Sequence, residues 1–142
     1  MCTVMVIDDN QDVRELISAA VVSQGHKVVA AASMAAALET IKVSTPDVVT
    51  VDLELPEGNG MEALRQLRGA GMTSFAVVVS AHRKEYSKAL TEEWKNLRIF
   101  DVMEKPFRVD VLLRRLEDAA EATQKESQLC QVLDKYLEPA VD

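Results

Sequence analysis

The sequence has few cysteines, no long apolar run and no leader-like start. Its two cysteines, Cys2 and Cys130, are far apart and form no metal-binding or redox motif. No stretch is apolar enough to cross a bilayer, and the first ten residues lack the charged and apolar segments of a signal peptide. These absences predict a soluble, reduced, cytoplasmic protein without a membrane partner.

Basic side chains are also scarce relative to acidic ones. The chain has 142 residues, with 16 Lys and Arg against 23 Asp and Glu, and its formal net charge is −7. Because nucleic acids are bound largely by neutralising their phosphates, this balance disfavours direct nucleic-acid binding and favours a protein partner or a small anion. A hydrophobic content of 48% fits one globular domain with a single core.

Extended and helical patterns alternate about five times along the chain. Asn10 and Ser33 are suitable N-caps for the first two helices, and Gly25 is suited to end the first. Valine-rich runs without strict alternation indicate strands that are covered on both faces. The pattern therefore predicts stacked βαβ units and a parallel sheet, with strands at residues 3–7, 27–31, 47–51, 75–79 and 99–103.

Several side chains have a structural rather than a functional interpretation. Helical spacing predicts that Leu16 belongs to the buried face of the first helix, and that Tyr86 and Trp94 pack on a fourth helix within residues 84–97. His26 and His82 show no metal-ligand spacing, so both are predicted to lie on the surface.

Charged and hydroxyl side chains follow four of the predicted strands. Since ligands bind outside the carboxyl ends of parallel strands, these residues should meet at one edge of the sheet. Two carboxylates about 4 Å apart repel by roughly 4 kcal/mol at an effective dielectric constant of about 20, so three of them require a cation. One lysine supplies a single charge, and Mg²⁺ would supply two. The residues are Asp8 and Asp9, Asp52, Ser80 and Lys105.

Each of these residues also has an ordinary alternative. Asp8 and Asp9 favour a helix N-terminus, and Ser80 can bond to its own backbone. Asp52 can be a loop acid before a turn, and Lys105 a solvated lysine before a proline. These alternatives would require four independent coincidences, in the right order, on four strand ends. The pattern therefore favours a shared site.

The motifs IDDN, VDLELPEGNG, VVSA and EKPF, in this order, resemble those of bacterial response-regulator receiver domains. The resemblance covers about residues 3–120. It implies a flavodoxin-like, doubly wound, five-stranded parallel sheet, (βα)5. It also implies a signalling function rather than an enzymatic one, limited to self-catalysed phosphoryl transfer and autodephosphorylation, with a histidine kinase or a phosphotransfer protein as the phosphoryl donor.

The same resemblance assigns a role to each site residue. Asp52 would be the phosphoacceptor, and its aspartyl phosphate would be contacted by Ser80 and Lys105. The Lys105-Pro106 bond would be cis. Magnesium would be bound by the side chains of Asp8, Asp9 and Asp52 and by the backbone carbonyl of Glu54.

The chain departs from the family pattern in two places. Val102 stands where many receivers carry a Tyr or Phe that changes position on phosphorylation. Phe100, two residues earlier, would lie on the same face of a regular strand and is expected to replace that aromatic side chain only in part. The segment between Ser80 and Lys105 is longer than usual, so the fourth helix or its following loop should be remodelled. The resemblance also implies that Glu54 and His82, which lie two residues beyond the acceptor and the hydroxyl, stand over the site and influence phosphate hydrolysis.

Two other classes of function are compatible with parts of this pattern. One is a receiver-like interaction module that is never phosphorylated. The other is a haloacid-dehalogenase-like phosphatase, which also combines a nucleophilic Asp, a hydroxyl, a lysine and an acidic pair. The order of the motifs disfavours it, because here the acidic pair comes first and the nucleophile motif reads Asp52-Leu53-Glu54.

The last part of the chain lies outside the resemblance. We predict a receiver domain over residues 1–122 and a helical extension or linker over 123–142, where Pro139 would end any helix. An apolar stripe continues through the extension, interrupted by Thr123 and Glu126. It predicts either a homodimer through the last helix and the extension, or a helix that packs on its own domain or frays. The stripe consists of Leu112, Leu116, Ala119, Cys130, Leu133 and Leu137.

Overall fold

The computed structural model describes residues 1–56 and 58–137, which form alternating strands and helices. The strands are β1 (Thr3–Ile7), β2 (Lys27–Ala31), β3 (Val48–Asp52), β4 (Glu54–Leu55), β5 (Gly58–Asn59), β6 (Phe75–Ser80) and β7 (Ile99–Glu104). The helices are α1 (Gln11–Ser23), α2 (Met34–Ile41), α3 (Gly60–Gly69), α4 (Arg83–Glu93) and α5 (Val109–Leu137).

Five of these strands form one parallel sheet in the order β2-β1-β3-β6-β7. The short strands β4 and β5 pair separately as an antiparallel hairpin between β3 and α3. The order reverses at β1, and it is the order of flavodoxin-like sheets, in which ligands bind at the reversal point. The predicted doubly wound, five-stranded fold is therefore confirmed.

Helices cover both faces of this sheet. Under α2, α3 and α4 the core is built around Met5, Val51 and Leu64, and under α1 and α5 it is built around Val6, Ile17 and Leu116. Successive residues of β1 thus point into opposite cores, which explains why the strand is apolar throughout. No helix among the described residues has the length and apolar character needed to span a membrane.

The first two helices begin directly after the residues predicted to cap them. The side chain of Asn10 accepts a hydrogen bond from the Val13 N–H at 3.1 Å, and that of Ser33 accepts one from the Ala36 N–H at 3.1 Å. Gly25, two residues after α1, has a φ of 83°, a conformation that glycine adopts without strain. Local sequence signals therefore define the start of both helices.

Three predicted side-chain positions are wrong. Leu16 is 51% exposed, because α1 contacts the sheet along a narrower face that includes Ile17 and Val21. His26 is half-buried: its Nδ1 accepts the Cys2 N–H at 3.1 Å, and its Nε2 lies 2.8 Å from a Glu117 carboxylate oxygen on α5. Trp94 follows the end of α4 and is 37% exposed.

Phe100 does not lie on the same face of the sheet as Val102. Ala76 of β6 pairs with Ile99 of β7, but the next residue, Val77, pairs with Asp101. A bulge in β7 therefore leaves Phe100 as an extra residue. The extra residue reverses the alternation, so that Val102 packs beneath α4 whereas Phe100 packs on the opposite face, edge-to-face with Phe75. The expected partial replacement of the missing aromatic by Phe100 is therefore wrong.

The last helix runs without interruption from the receiver core into the extension. The side chains that seemed to interrupt its apolar stripe hold it to the domain: Thr123 Oγ1 accepts the Phe75 N–H at 3.0 Å, and Glu126 pairs with Arg98 at 2.6 Å. Arg98 also lies over the Phe75 ring, 4.3 Å from its centre. The side chain of Leu137 and the predicted helix stop at Pro139 lie outside the described residues.

Candidate functional site

The side chains predicted to share a site lie together at the carboxyl edge of the sheet. Asp8, Asp9 and Asp52 have carboxylate oxygens within 4.8 Å of one another. Lys105 Nζ lies 2.9 Å from Asp52 Oδ2 and 3.4 Å from Asp8 Oδ2. Asp8 is 3% exposed and Asp52 4%, whereas Asp9 is open to solvent. The edge thus holds a half-buried acidic cluster with one lysine inside it.

Backbone donors fix the two buried carboxylates. Asp8 Oδ1 accepts the Asn10 N–H at 2.9 Å, at the start of α1. Asp52 Oδ1 accepts the Glu54 N–H at 3.0 Å. With Oδ1 held in this way, the other carboxylate oxygen of each acid, Oδ2, contacts Lys105.

Gly60 allows α3 to begin directly behind Asp52. Its N–H donates to the Leu53 carbonyl at 2.9 Å. A Cβ at this position would clash with the Asp52 carbonyl oxygen and would lie 2.9 Å from Leu53 Cα, so a side chain cannot be accommodated without moving this backbone. Glycine at the start of α3 therefore sets the position of the strand end that carries Asp52.

Burial, neighbouring charges and hydrogen bonds together shift the pKa values of Asp8 and Lys105. Burial raises the pKa of Asp8, and the nearby charge of Asp52 raises it further, against the lowering effects of the Asn10 N–H and of Lys105. Burial alone would lower the pKa of Lys105, but its hydrogen bond and charge interaction with Asp52, together with Asp8, raise it instead. Lys105 therefore remains an ammonium ion among carboxylates.

The donor set fits a hard divalent cation. All three side chains of the acidic cluster offer carboxylate oxygens, and Asp9 keeps one side of the cluster accessible. Magnesium commonly binds one or two carboxylates and retains several waters, which suits a site that is open on one side. The backbone carbonyl of Glu54, two residues after Asp52, remains a predicted ligand.

The hydroxyl of Ser80 is buried next to this cluster, but it is not bonded to Asp52. It accepts the His82 N–H at 2.9 Å and donates to Glu54 Oε2 at 2.8 Å. The other carboxylate oxygen of Glu54 accepts the Ala81 N–H at 2.6 Å. Sequence reasoning placed Glu54 beside the site but missed this bridge, because no local pattern predicts a side-chain contact between the ends of β3 and β6.

The end of β7 places Lys105 against β6. Its backbone N–H donates to the Ser80 carbonyl at 2.9 Å, and the Lys105-Pro106 peptide bond is cis, as the resemblance implied. His82 is exposed, as predicted. The fold and this edge together define a doubly wound α/β domain with an acidic cluster at the carboxyl ends of its strands and two hydrogen-bond donors beside it, at Ser80 and Ala81.

Residues 4–117 match the response regulator receiver domain family, and the chain belongs to that family of two-component signalling proteins. It is 31% identical over 117 residues to the transcriptional regulatory protein YxdJ of Bacillus subtilis, covering 82% of this chain and 49% of that protein. It is 33% identical over 119 residues to the transcriptional regulatory protein KdpE of Mycobacterium tuberculosis, covering 84% and 51%. The chain spans about half the length of these relatives.

Two solved structures share the fold. The receiver domain of the Francisella response regulator 1452 superposes with a TM-score of 0.75 at 24% identity, covering 87% of this chain and 99% of that one. NtrX from Brucella abortus gives a TM-score of 0.80 at 24% identity, covering 92% of this chain and 30% of that one. At this level of identity the likeness shows the architecture alone.

Proposed function

We propose that this chain is a receiver that accepts a phosphoryl group on Asp52, with Mg²⁺, from a histidine kinase or a phosphotransfer protein. The observation that carries the proposal is the position of the Asp52 carboxylate, which lies 2.9 Å from the Lys105 ammonium and within the acidic cluster. Membership of the receiver family supports the same assignment. In this proposal residues 1–122 form the receiver unit, and 123–142 form its helical extension or a linker.

The transfer requires a nucleophile and positive charge around the phosphoryl group. An Asp52 carboxylate oxygen attacks phosphorus, the bond from phosphorus to the donor's leaving atom breaks, and an aspartyl phosphate results. Lys105, which contacts the Asp52 carboxylate, offsets the charge of the transferred group. Asp8, Asp9, Asp52 and the Glu54 carbonyl would hold Mg²⁺, which supplies further charge neutralisation when it is bound.

Labelling with a small phosphodonor tests this assignment. Acetyl phosphate with Mg²⁺ should modify the chain once, and borohydride trapping followed by mass spectrometry should locate the acyl phosphate on the peptide that contains Asp52. Chelation of the metal should suppress the label, because the crowded carboxylates then lack the cation that offsets the incoming charge. Modification at another residue, or labelling that chelation leaves unchanged, would reject the assignment.

The same experiment separates the remaining alternatives. A receiver-like interaction module that is never phosphorylated would stay unlabelled in the presence of both donor and metal. The match to the receiver family over residues 4–117 supports a receiver and disfavours a haloacid-dehalogenase-like phosphatase. In this proposal the protein is a signalling component that is itself modified, and not an enzyme that turns over a separate substrate.

We also propose that a second copy of this chain binds the extension, along a stripe that shares Leu133 with the predicted one but otherwise consists of other residues. Leu112, Leu116 and Ala119 are buried in the chain's own core, so they are not available to a partner. The extension instead exposes four apolar side chains at helical spacing on one face. They are Leu129, Val132, Leu133 and Tyr136. An exposed apolar stripe of this kind is typical of helix pairing.

Sedimentation of the full chain tests the pairing. Leu133→Glu places a charge in the middle of the stripe and should convert a concentration-dependent dimer into a monomer, because a carboxylate at the seam loses its hydration without gaining a partner. Gln131→Glu adds the same charge at an exposed position outside the stripe and should leave the dimer intact. A parent chain that is monomeric at all concentrations would contradict the proposed dimer.

A further inference from the structure

The side chain of Glu54 occupies two hydrogen-bond donors that stand next to the acidic cluster. One carboxylate oxygen accepts from Ser80 Oγ at 2.8 Å and the other accepts from the Ala81 N–H at 2.6 Å. The Ser80 hydroxyl is fully buried and already accepts the His82 N–H, so its proton is directed to Glu54. Glu54 thus binds these donors as a two-oxygen anion.

We propose that Glu54 is an internal competitor for the phosphoryl group, so that Asp52 is phosphorylated only as the Glu54 carboxylate leaves Ser80 and Ala81. This inference rests on the proposed function of Asp52. It makes Glu54 a residue that sets how readily the site accepts a phosphoryl group, through a contact made before any donor arrives.

The geometry supports competition because the donors and the acceptor lie on neighbouring strands. Asp52 pairs with Val79 in the parallel register of β3 and β6, so Ser80 is the next residue along β6. The Glu54 N–H is bonded to Asp52 Oδ1 at 3.0 Å, which keeps the backbone of Glu54 beside the acceptor while its side chain reaches across to β6.

Every cationic or hydrogen-bonding group that the proposed reaction would use already has an anionic partner. Lys105 is bonded to Asp52 and Asp8, and Ser80 and Ala81 are bonded to Glu54. A phosphoryl group on Asp52 brings oxygens that need these donors and a negative charge that repels the Glu54 carboxylate. Both effects require Glu54 to move away.

Two substitutions separate competition from simple charge repulsion. Glu54→Gln removes the charge. Glu54→Asp keeps the charge but shortens the side chain by one methylene, about 1.5 Å, so that it no longer spans to Ser80 and Ala81. If Glu54 competes, both variants should be labelled on Asp52 by acetyl phosphate at saturating Mg²⁺ at least about tenfold faster than the parent. Loss of one hydrogen bond to a charged group has an effect of this size.

Glu15→Gln provides the matched control. Glu15 is exposed on α1, and its carboxylate is bonded to Gln11 and not to the site, so the variant changes the net charge equally and should be labelled at the parental rate. Hydrogen exchange of the Ala81 amide in the unphosphorylated proteins gives a second readout. The amide should be protected in the parent and should exchange faster in Glu54→Asp.

The outcomes distinguish the proposals. Faster labelling of both variants, with loss of Ala81 protection in Glu54→Asp, supports competition. Faster labelling of Glu54→Gln alone would overturn it in favour of repulsion, and parental rates in both variants would overturn it outright. Absence of label on Asp52 in all four proteins would reject the proposed function, and this inference with it.

Discussion

Asp52→Asn is expected to abolish labelling of this chain by a small phosphodonor. The amide of the variant lacks the anionic oxygen that attacks phosphorus, so the proposed nucleophile is lost. Mass spectrometry after incubation with acetyl phosphate and Mg²⁺ should therefore show only unmodified protein.

The variant should also bind Mg²⁺ more weakly, because one of its three carboxylate ligands has become a neutral amide. A titration of Mg²⁺ followed by amide chemical shifts measures this effect. Asp12→Asn is a suitable control, since Asp12 is exposed in the first turn of α1 and lies outside the acidic cluster. Residual labelling of Asp52→Asn at the parental level would show that another residue is the phosphoacceptor.

Lys105→Met is expected to destabilise the metal-free protein by about 2 kcal/mol, the range of a hydrogen bond to a charged group. The substitution removes the cation that separates the buried carboxylates of Asp8 and Asp52. Magnesium should recover much of the loss, because a divalent ion at the same edge offsets the same charges. Urea unfolding with and without Mg²⁺ gives both values.

Lys42→Met is the comparison for that measurement. Lys42 is an exposed lysine that pairs with Glu39 on the protein surface, and its loss should change the unfolding free energy by less than about 0.5 kcal/mol. An equal loss of stability in Lys105→Met with and without Mg²⁺ would show that the lysine acts by packing and not by neutralising the cluster.

The sheet and the shared edge could be predicted because both depend on local signals and one topological rule. Each observed strand of the main sheet lies within one residue of its predicted bounds, since apolar runs of this length have few other structures open to them. Asp52, Ser80 and Lys105 were expected to meet because parallel strands end on the same side. The acids and the lysine do meet there, and the hydroxyl lies beside them.

What the sequence could not predict depends on contacts between distant residues or on register. His26 reaches Glu117 across 91 positions of the chain, and no spacing rule relates them. The bulge that moves Phe100 to the opposite face depends on how β7 pairs with β6. Glu54 reaches Ser80 through a choice of side-chain rotamer. Each of these features follows from three-dimensional packing and not from periodicity.

The long last helix is attached to the starts of two neighbouring strands. Thr123 and Glu126 attach it to Phe75, at the start of β6, and to Arg98, just before β7. The opposite ends of these strands carry Ser80 and Lys105. From Glu126, its last attachment, to Leu137 the helix extends about 16 Å, so a tilt of about 5° at Glu126 displaces the Leu137 end by about 1.4 Å. A rotation of β6 and β7 is therefore expected to move the described end of α5 further than its attachment points.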